Sequence, residues 1–154
     1  MKPDATDIRI IEHLREDGRA SLRKLAEDLD LSPSTVSNRF HRLKEEGVIR
    51  GFRPVLDYEQ LGFGLTAIIE IRVDSARTEE VCSELDSRES VTSMYEVTGE
   101  TDIVLVCRFI DRKDMNERVK SFQKVDGVES TMTKVVLTTP EEDGELDLEA
   151  ALET

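Results

Sequence analysis

The stretch Ser21–Arg53, SLRKLAEDLDLSPSTVSNRFHRLKEEGVIRGFR, decides the fold of the first part of the chain. After Ser21, a candidate N-cap, apolar residues recur at the i, i+3, i+4 and i+7 positions of one helix face. They are Leu22, Leu25, Ala26 and Leu29. A second helix begins at Ser32 and Pro33, because a serine N-cap followed by proline at the first helical position is a frequent helix start. The pattern predicts two helices joined by a tight turn.

The two faces of the second helix differ in chemistry. Val36, Phe40 and Leu43 form its apolar side, and Gly47 stands where a left-handed C-cap is expected. The other side carries hydroxyl, amide and cationic groups, with no carboxylate before Glu45. These residues are Ser34, Thr35, Ser37, Asn38, Arg39, His41 and Arg42. Such groups can donate to base edges and to phosphates, so we predict that this face recognises DNA.

Two kinds of contact are expected from this surface. The short polar side chains suited to base edges are Ser34, Thr35, Ser37, Asn38 and His41. The cations suited to phosphates are Arg39, Arg42, Lys44, Arg50 and Arg53, of which Arg42 could make either contact. For any single residue the alternative is a solvated helix face. For the group that alternative is weak, because an acid-free surface is unusual on so acidic a protein.

The charge of the chain is strongly negative but unevenly distributed. The 154 residues carry a formal net charge of −13. Residues 1–64 hold 11 basic and 12 acidic side chains, whereas residues 65–154 hold 10 and 22. Within Ser32–Arg53 five cations stand against Glu45 and Glu46, which leaves a local charge of +3 suited to phosphate. The acidic remainder resembles proteins from salt-rich cytoplasms, which suggests a halophilic archaeon; an ordinary acidic surface is the alternative.

The segments around this stretch complete a winged helix-turn-helix. Residues Asp4 to Asp17 predict a first helix, capped by Asp4. Residues 48–56 alternate apolar with basic or turn residues around Gly51, which predicts a short β-hairpin, the wing. The tight turn holds Asp30 where such units usually carry glycine, and aspartate is among the few other residues that tolerate a left-handed conformation.

Beyond residue 64 the hydrophobic period changes to that of a mixed sheet. Strands are predicted at 65–73, 91–98, 101–110 and 128–138, with helices opening at Thr78, as its cap, and at Asp111 or Asp114. Gly99-Glu100 is expected to join the middle two strands as a hairpin. The order βαββαβ is the ferredoxin-like motif. We therefore expect an α+β chain with two domains. The first is a winged helix-turn-helix DNA-binding domain at residues 1–56, followed by a linker at 57–64. The second is a ferredoxin-like effector-binding and oligomerisation domain at 65–139, followed by an acidic tail at 140–154.

The third predicted strand is apolar on both of its faces. Ile103, Leu105, Cys107 and Phe109 alternate with Val104, Val106 and Ile110. Two helices cover only one face of a four-stranded sheet, so the second face needs another partner. A second copy of the same sheet is the economical choice, and it predicts a homodimer. The alternative is that the linker or the tail of the same chain covers this face.

Other features bound the setting of the protein. No apolar run approaches the length of a membrane span or a secretion signal, so we expect a soluble, cytoplasmic protein without a membrane role. Cys82 and Cys107 lie in apolar-patterned segments without metal-ligand spacing, which favours reduced thiols and no metal site. The tail, residues 140–154, holds seven acids and no base; a solvated tail is favoured over a docking segment.

These motifs together resemble the Lrp/AsnC family, the leucine-responsive and asparagine-synthesis regulators. The likeness extends from Asp4 to about Thr139. The matching segments are Asp4-x-x-Asp7-x-x-Ile10-Ile11, Asp17-Gly18-Arg19-Ala20-Ser21, Leu25-Ala26, Leu31-Ser32-Pro33-Ser34-Thr35-Val36, Arg39-Phe40-x-Arg42-Leu43, Glu46-Gly47-Val48-Ile49 and Val97-Thr98-Gly99-Glu100-Thr101-Asp102. Each is weak alone, but their joint order ahead of a βαββαβ domain is specific. The resemblance implies a transcription factor that binds double-stranded DNA as a dimer and often assembles into tetramers or octamers.

The resemblance also implies an amino-acid effector at the contacts between dimers. In the family this site lies near the turn after the second strand of the domain, which commonly reads Gly-Asp-Tyr-Asp. Gly99 and Asp102 match here, whereas Glu100 and Thr101 depart from the pattern. The candidate effector residues are Gly99, Glu100, Thr101, Asp102, Thr131 and Thr133. A plain hairpin turn with a capping acid is the alternative, and no cofactor other than such an effector is expected.

Two other classes of function compete with a DNA-binding regulator. An enzyme is disfavoured because only His13 and His41 are present and no catalytic triad, metal-protease motif or phosphate-binding loop appears. We therefore predict no catalytic residues. A metabolite-sensing oligomerisation module that acts through protein partners, without direct DNA binding, is the second alternative. It would keep the Gly99–Asp102 turn and dispense with the basic helix.

Overall fold

The protein is described by a computed structural model over residues 2–139, 144 and 146–152. The chain divides into two compact units, residues 1–55 with 143–154 and residues 56–142. The predicted domain limits stay predictions. No helix within the described ranges is long and apolar enough to cross a membrane.

Three helices build the first unit. They are α1 (Ala5–Glu16), α2 (Leu22–Asp28) and α3 (Pro33–Glu45). The predicted caps are confirmed: Asp4 begins α1, Ser21 begins α2 and Ser32 begins α3. The cap of α1 is reciprocal, because the Asp4 carboxylate accepts from the backbone of Asp7 at 2.9 Å and the Asp7 carboxylate accepts from the backbone of Asp4 at 3.0 Å. Their apolar sides form one buried core that includes Ile10, Leu25, Val36 and Leu43.

The turn between α2 and α3 depends on a left-handed aspartate. Asp30 has a φ of 54°, as predicted for the position that glycine usually takes. Two backbone bonds close the turn, from Leu31 N to Ala26 O at 2.9 Å and from Asp30 N to Glu27 O at 3.3 Å. This is the Schellman pattern, and it satisfies carbonyls that the end of α2 leaves without helical donors.

The predicted wing hairpin is wrong for this chain. Residues 48–56 contain no strand, although Gly47 takes the predicted left-handed conformation at the end of α3. Gly51 has no positive φ, so the tight turn that favours a two-residue hairpin is missing, and Pro54 has no N–H to donate. A two-stranded ribbon is in any case only marginally stable alone. The segment has no regular secondary structure, and Phe52 stacks on Phe40 of α3 with ring centroids 6.4 Å apart.

The second unit is a four-stranded antiparallel sheet with two helices. The elements are β1 (Leu65–Val73), α4 (Thr78–Asp86), β2 (Val91–Glu96), β3 (Ile103–Phe109), α5 (Arg112–Phe122) and β4 (Val128–Val135). The strands lie in the order β2-β3-β1-β4, and the predicted βαββαβ order is confirmed. Asp111 caps α5 as one of the two predicted candidates. The predicted cap at Thr78 is wrong, because Asp74 caps a short 3-10 turn at Ser75–Arg77 that runs directly into α4.

The sheet has one closed and one open face. Side chains of the central strands alternate, so that Ile69 and Ile71 of β1 and Leu105 and Cys107 of β3 are fully buried in the core under the helices. The opposite face carries apolar side chains that are only half-buried or exposed. These are Ile68, Val104, Val106, Tyr95 and Met132. Within the described chain this face therefore lacks the helical cover that the other face has.

Candidate DNA interface and effector turn

The predicted DNA-contact residues of α3 and the segment after it fall into two groups. The exposed ones are Ser34, Asn38, His41, Lys44, Arg50 and Arg53. The half-buried ones are Thr35, Ser37, Arg39 and Arg42. The exposed group runs from the first turn of α3, past its C-terminus, into the irregular segment that follows it. A continuous polar and cationic surface of this length can meet both base edges and phosphates.

The hydroxyls at the start of α3 bond to one another. Ser32 Oγ accepts from the backbone of Thr35 at 3.0 Å and lies 2.7 Å from Thr35 Oγ1 and 2.9 Å from Ser34 Oγ. Thr35 is therefore held by the helix cap. Ser34 is the more exposed of the two and has the freer approach to a base edge.

Arg39 and Arg42 turn toward α1. Arg39 Nη1 donates to Asp7 Oδ1 at 2.9 Å and to both oxygens of Asp4, at 2.8 and 2.6 Å. Arg42 Nη2 donates to Asp7 Oδ1 at 2.9 Å and to Oδ2 at 2.7 Å. The Asp7 side chain is only 1% exposed, so its charge is buried and needs these partners. The sequence pattern predicts phosphate contacts for both cations and does not reveal this cluster.

The cluster also has an electrostatic signature at its exposed edge. The Arg39 guanidinium, through its hydrogen bond, lowers the pKa of the Asp4 carboxyl below its ordinary value, and bonds from the Asp7 backbone add to the effect. The same contacts raise the pKa of Arg39. Both groups therefore stay charged across the physiological range.

Further polar contacts fix the three helices to one another. Arg9 of α1 donates to the Leu29 carbonyl at the end of α2 at 3.1 Å. His13 Nε2 lies 2.8 Å from an oxygen of Asp28. These contacts join α1 to the end of α2, whereas Asp7 joins α1 to α3. Polar side chains thus join α1 to both helices of the helix-turn-helix.

The irregular segment after α3 borders a cleft against α1. The cleft has a volume of about 670 Å³, and its apolar wall includes Ile11, Leu14 and Phe52. Arg50 and Arg53 lie on its rim and are exposed. The Phe52 ring therefore anchors a segment whose cations remain at the surface, which is what a phosphate-contacting wing requires even without strands.

The predicted effector turn connects β2 to β3 over residues 97–102. Val97 N donates to Asp102 O at 2.9 Å, and Gly99 has a φ of +124°, which favours glycine. Asp102 Oδ2 accepts from Val73 N at 2.9 Å and ties the turn to the end of β1. Arg72 donates to the Glu100 carbonyl at 2.7 and 3.1 Å. The turn is longer than the predicted two-residue hairpin and is already braced by β1.

Thr131 and Thr133 are not beside this turn. They belong to β4, and β1 lies between β4 and β3. Thr131 pairs with Ile71 and Thr133 with Ile69, so both hydroxyls lie on the side of the sheet that faces the helices. Thr131 Oγ1 accepts from Gln123 Nε2 at 2.8 Å. Within one chain the two threonines therefore form a different surface from Gly99, Glu100, Thr101 and Asp102.

Comparison with protein-family models assigns both units. Residues 3–50 match the winged helix-turn-helix DNA-binding model. Residues 66–146 match the Lrp/AsnC ligand binding domain. The chain belongs to the Lrp/AsnC family. The regulatory function predicted from the sequence is thereby confirmed, since this is a family of DNA-binding transcriptional regulators rather than enzymes.

Individual relatives agree over nearly the full length. An uncharacterised HTH-type transcriptional regulator of Pyrococcus horikoshii is 42% identical over 96% of this chain and 99% of its own length. The HTH-type transcriptional regulator FL11 of Pyrococcus abyssi is 37% identical over 94% of this chain and 96% of its own. The crystal structure of a Neisseria meningitidis transcriptional regulator in complex with L-Met is similar with a TM-score of 0.89 at 28% identity, covering 96% of this chain and 98% of that one.

The relatives do not test the predicted halophilic origin of the protein. The two relatives named above come from Pyrococcus, and neither supports a halophilic origin. The acidic composition itself stands, so a salt-rich origin stays a prediction. Within the described residues, no three His, Cys, Asp or Glu side chains are grouped so that they could hold a metal ion.

Proposed function

We propose that this Lrp/AsnC regulator binds DNA as a homodimer, reads its operator with the exposed face of α3, and responds to an amino acid bound near the turn at residues 97–102. The observation that supports DNA reading by α3 is the exposure of Ser34, Asn38 and His41 on a helix whose opposite side is buried in the core. Serine, asparagine and histidine side chains can bond to base edges in the major groove.

The cations beyond these residues complete the interface. Lys44, Arg50 and Arg53 are exposed and follow the base-reading residues toward the wing. We assign them to phosphate contacts that position α3 in the groove. Thr35 and Ser37 are half-buried, and we place them at the margin of the interface, where small shifts could still bring a hydroxyl to the DNA.

The open face of the sheet supports the homodimer. Val104 and Val106 of β3 and Ile68 of β1 leave apolar surface on the side away from the helices, with Tyr95 55% exposed and Met132 59% exposed at its margins. Apolar side chains at the centre of a sheet favour burial against another protein surface. A second copy presents a self-complementary surface by symmetry, and paired α3 helices suit half-sites about one DNA turn apart. Assembly into tetramers or octamers would need further contacts of the same domain.

The turn at residues 97–102 supports an amino-acid effector. The similar Neisseria meningitidis regulator was crystallised with L-Met, and the turn presents backbone N–H groups around a left-handed Gly99. We propose that these groups bind the α-carboxylate and that the carboxylate of Glu100 or Asp102 pairs with the α-ammonium. Thr101 takes the place of an aromatic residue and leaves more room there. Thr131 and Thr133 could contribute only from another chain of an assembly.

The DNA-binding experiment uses operators selected from random sequence by the full-length protein. Asn38→Ala and His41→Ala should each weaken operator binding about tenfold, because a lost base contact costs roughly 1–3 kcal/mol. The matched control is Glu79→Ala, an exposed substitution on α4 in the other unit. Full operator affinity in both α3 variants would remove this face from the interface. Failure of the unaltered protein to bind any DNA would leave the metabolite-sensing module as the function.

The effector experiment measures thermal unfolding with each amino acid in turn. A ligand that binds the folded state raises the unfolding temperature in proportion to its affinity. Glu100→Gln and Asp102→Asn should each reduce the shift if the carboxylates bind the α-ammonium. Thr139→Ala, outside both candidate surfaces, is the control. A shift unchanged in both turn variants would place the effector elsewhere.

A further inference from the structure

Asp7 controls two of the five cations on the predicted recognition surface. Its buried carboxylate accepts three hydrogen bonds from guanidinium groups of α3, at 2.9, 2.9 and 2.7 Å, and a fourth from the Asp4 backbone at 3.0 Å. The donors are Arg39 and Arg42, which lie one helical turn apart on the same helix as Asn38 and His41. The guanidinium groups therefore point toward α1, and their positive charge is compensated inside the unit.

This compensation changes the charge of the recognition surface. The segment 32–53 carries five cations and two acids, a net charge of +3, and adding Asp4 and Asp7 of the first helix and its cap lowers the net charge of the combined set to +1. The cations without an aspartate of α1 as partner are Lys44, Arg50 and Arg53, all at or beyond the last turn of α3. The middle of α3 is thus nearly neutral.

Neutrality in the middle of a recognition helix bears on specificity. Sequence-independent binding depends on how many phosphates the protein neutralises, and each such contact steepens the loss of affinity with salt. Base-edge contacts carry sequence information, and phosphate contacts do not. When two cations of the helix are paired within its own domain, they do not bind phosphates. Nonspecific affinity for DNA is then lower, and the base-edge contacts still discriminate between sequences.

We propose that Asp7 is a specificity-determining residue: by holding Arg39 and Arg42 against α1, it withdraws two positive charges from the DNA phosphates and makes binding depend on the neutral polar side chains of α3. The inference rests on the proposed DNA reading by α3. It assigns Arg39 and Arg42 to positioning of that helix through Asp7, in place of the direct phosphate contacts expected from the sequence.

A purely structural role for Asp7 predicts a different outcome. If the ion cluster only holds the fold, its removal weakens all DNA binding to a similar degree and leaves the salt dependence unchanged. If Asp7 withholds two cations, its removal frees Arg42 and leaves Arg39 held by Asp4 alone. Binding to random DNA then becomes stronger and more dependent on salt, while operator binding gains less. The ratio of the two affinities separates these cases.

The first variant is Asp7→Asn in the full-length protein, measured against operator DNA and random-sequence DNA between 0.1 and 0.5 M salt. We expect the logarithmic salt slope on random DNA to steepen by about 1 to 2, since up to two phosphate contacts are added at roughly 0.9 each. The ratio of operator to random affinity should fall at least about tenfold. Glu16→Gln removes the same charge from an exposed position of α1 and is the matched control. An unchanged slope and ratio in a folded Asp7→Asn would overturn the proposal.

A second set of variants keeps the test decisive if Asp7→Asn does not fold. Arg39→Gln and Arg42→Gln should each change the salt slope on random DNA by less than about 0.3, because neither cation meets a phosphate. Arg50→Gln, on the exposed rim of the cleft, should reduce the slope by about 1. A reduction of about 1 in the Arg39 and Arg42 variants would show that they bind phosphate, and the proposal would be wrong. A protein that binds no DNA at all refutes the proposed function instead.

Discussion

Arg39 of α3 bonds with both carboxylate oxygens of Asp4, the N-cap of α1, although the two residues lie 35 positions apart in the chain. The N-cap therefore does two things at once: it accepts from the backbone of Thr6 and Asp7 and it binds the recognition helix. A cap normally stabilises only its own helix. Here one carboxylate both caps the first helix and binds the third.

Acid should weaken the first unit through this carboxylate. The pKa of Asp4 is lower in the folded state than in the unfolded chain, so its contribution is complete above its ordinary pKa of 3.8 and is lost as the pH falls through the lower folded value. We expect the free energy of unfolding to fall more steeply below pH 4 in the unaltered protein than in Asp4→Asn. Urea unfolding followed by circular dichroism at pH 2.5–7 measures the free energy of unfolding of both proteins.

The salt concentration for this comparison should be low. The Asp4 side chain is 54% exposed, so solvent and salt screen its pairing with Arg39. Glu16→Gln on the same helix is the control and should track the unaltered protein. Parallel curves for the Asp4→Asn and unaltered chains would contradict the prediction.

The left-handed turn residue offers a second test. Asp30 has a φ of 54°, which costs an L-residue with a Cβ about 1 kcal/mol or more unless its side chain compensates. Asp30→Gly should therefore be neutral or stabilising, whereas Asp30→Ala should destabilise the helix-turn-helix by roughly 1 kcal/mol. Denaturant unfolding of the two variants gives the difference directly. Equal stability of the glycine and alanine variants would mean that the turn can abandon its left-handed geometry.

Local patterns determined most of the elements that the sequence predicted. The caps at Ser21 and Ser32, the left-handed Asp30 and the limits of β1 each depend on neighbours within a few residues, which a sequence pattern records. The wing hairpin failed because alternation of apolar residues does not supply a pairing partner, and Pro54 and Gly51 do not form the required turn. The sequence pattern predicts a cap at residue 78 because the 3-10 turn that Asp74 begins is too short to show a hydrophobic period.

Long-range polar contacts account for the rest of the difference. Asp7 lies 32 positions from Arg39 and 35 positions from Arg42 in the chain, so no spacing rule within α3 reveals that they pair. One signal was present: an acid at the third position of α1 that is followed by isoleucines on the buried side. A carboxylate close to the buried side of a helix requires a cationic partner. The acid-free face of α3 carries cations that can take this role.

The open face of the sheet predicts the oligomeric state of a variant. Val106 lies near the middle of β3 on the side away from the helices. Val106→Glu would place a charge in the proposed dimer interface, which is costly unless the charge is paired. Sedimentation velocity should show the unaltered protein as a dimer or larger and the variant as a monomer. Glu79→Lys on α4 is the control for a charge change outside the interface, and a monomeric unaltered protein would refute the dimer.

The two thiols should differ in reactivity from cysteines in an unfolded chain. Burial raises the pKa of Cys107 to about 12, and burial together with the nearby Glu96 raises that of Cys82. Because the thiolate is the reactive form, Cys107 should resist iodoacetamide at pH 8 by several orders of magnitude relative to urea-unfolded protein. Mass spectrometry of samples taken during the reaction measures the rate of Cys107 labelling. Cys82→Ser isolates the Cys107 signal, and rapid labelling of the native chain would show that the sheet opens under these conditions.

The acidic tail should oppose DNA binding through its charge. Residues 140–154 hold seven acids, and the described tail residues, 144 and 146–152, belong to the same compact unit as the helix-turn-helix. In the described part of the tail, Arg15 of α1 donates to the Leu146 carbonyl at 3.1 Å. Like charges near the interface repel phosphates over about one Debye length, ~10 Å at 0.1 M salt.

A chain ending at Thr139 should therefore bind random DNA roughly threefold more tightly at 0.1 M salt, with the gain in affinity shrinking at 0.5 M. Replacing the seven acids by their amides keeps the backbone contact to Arg15 and removes the charge, so it should reproduce most of the gain; a gain in the truncated chain alone would assign the effect to that contact.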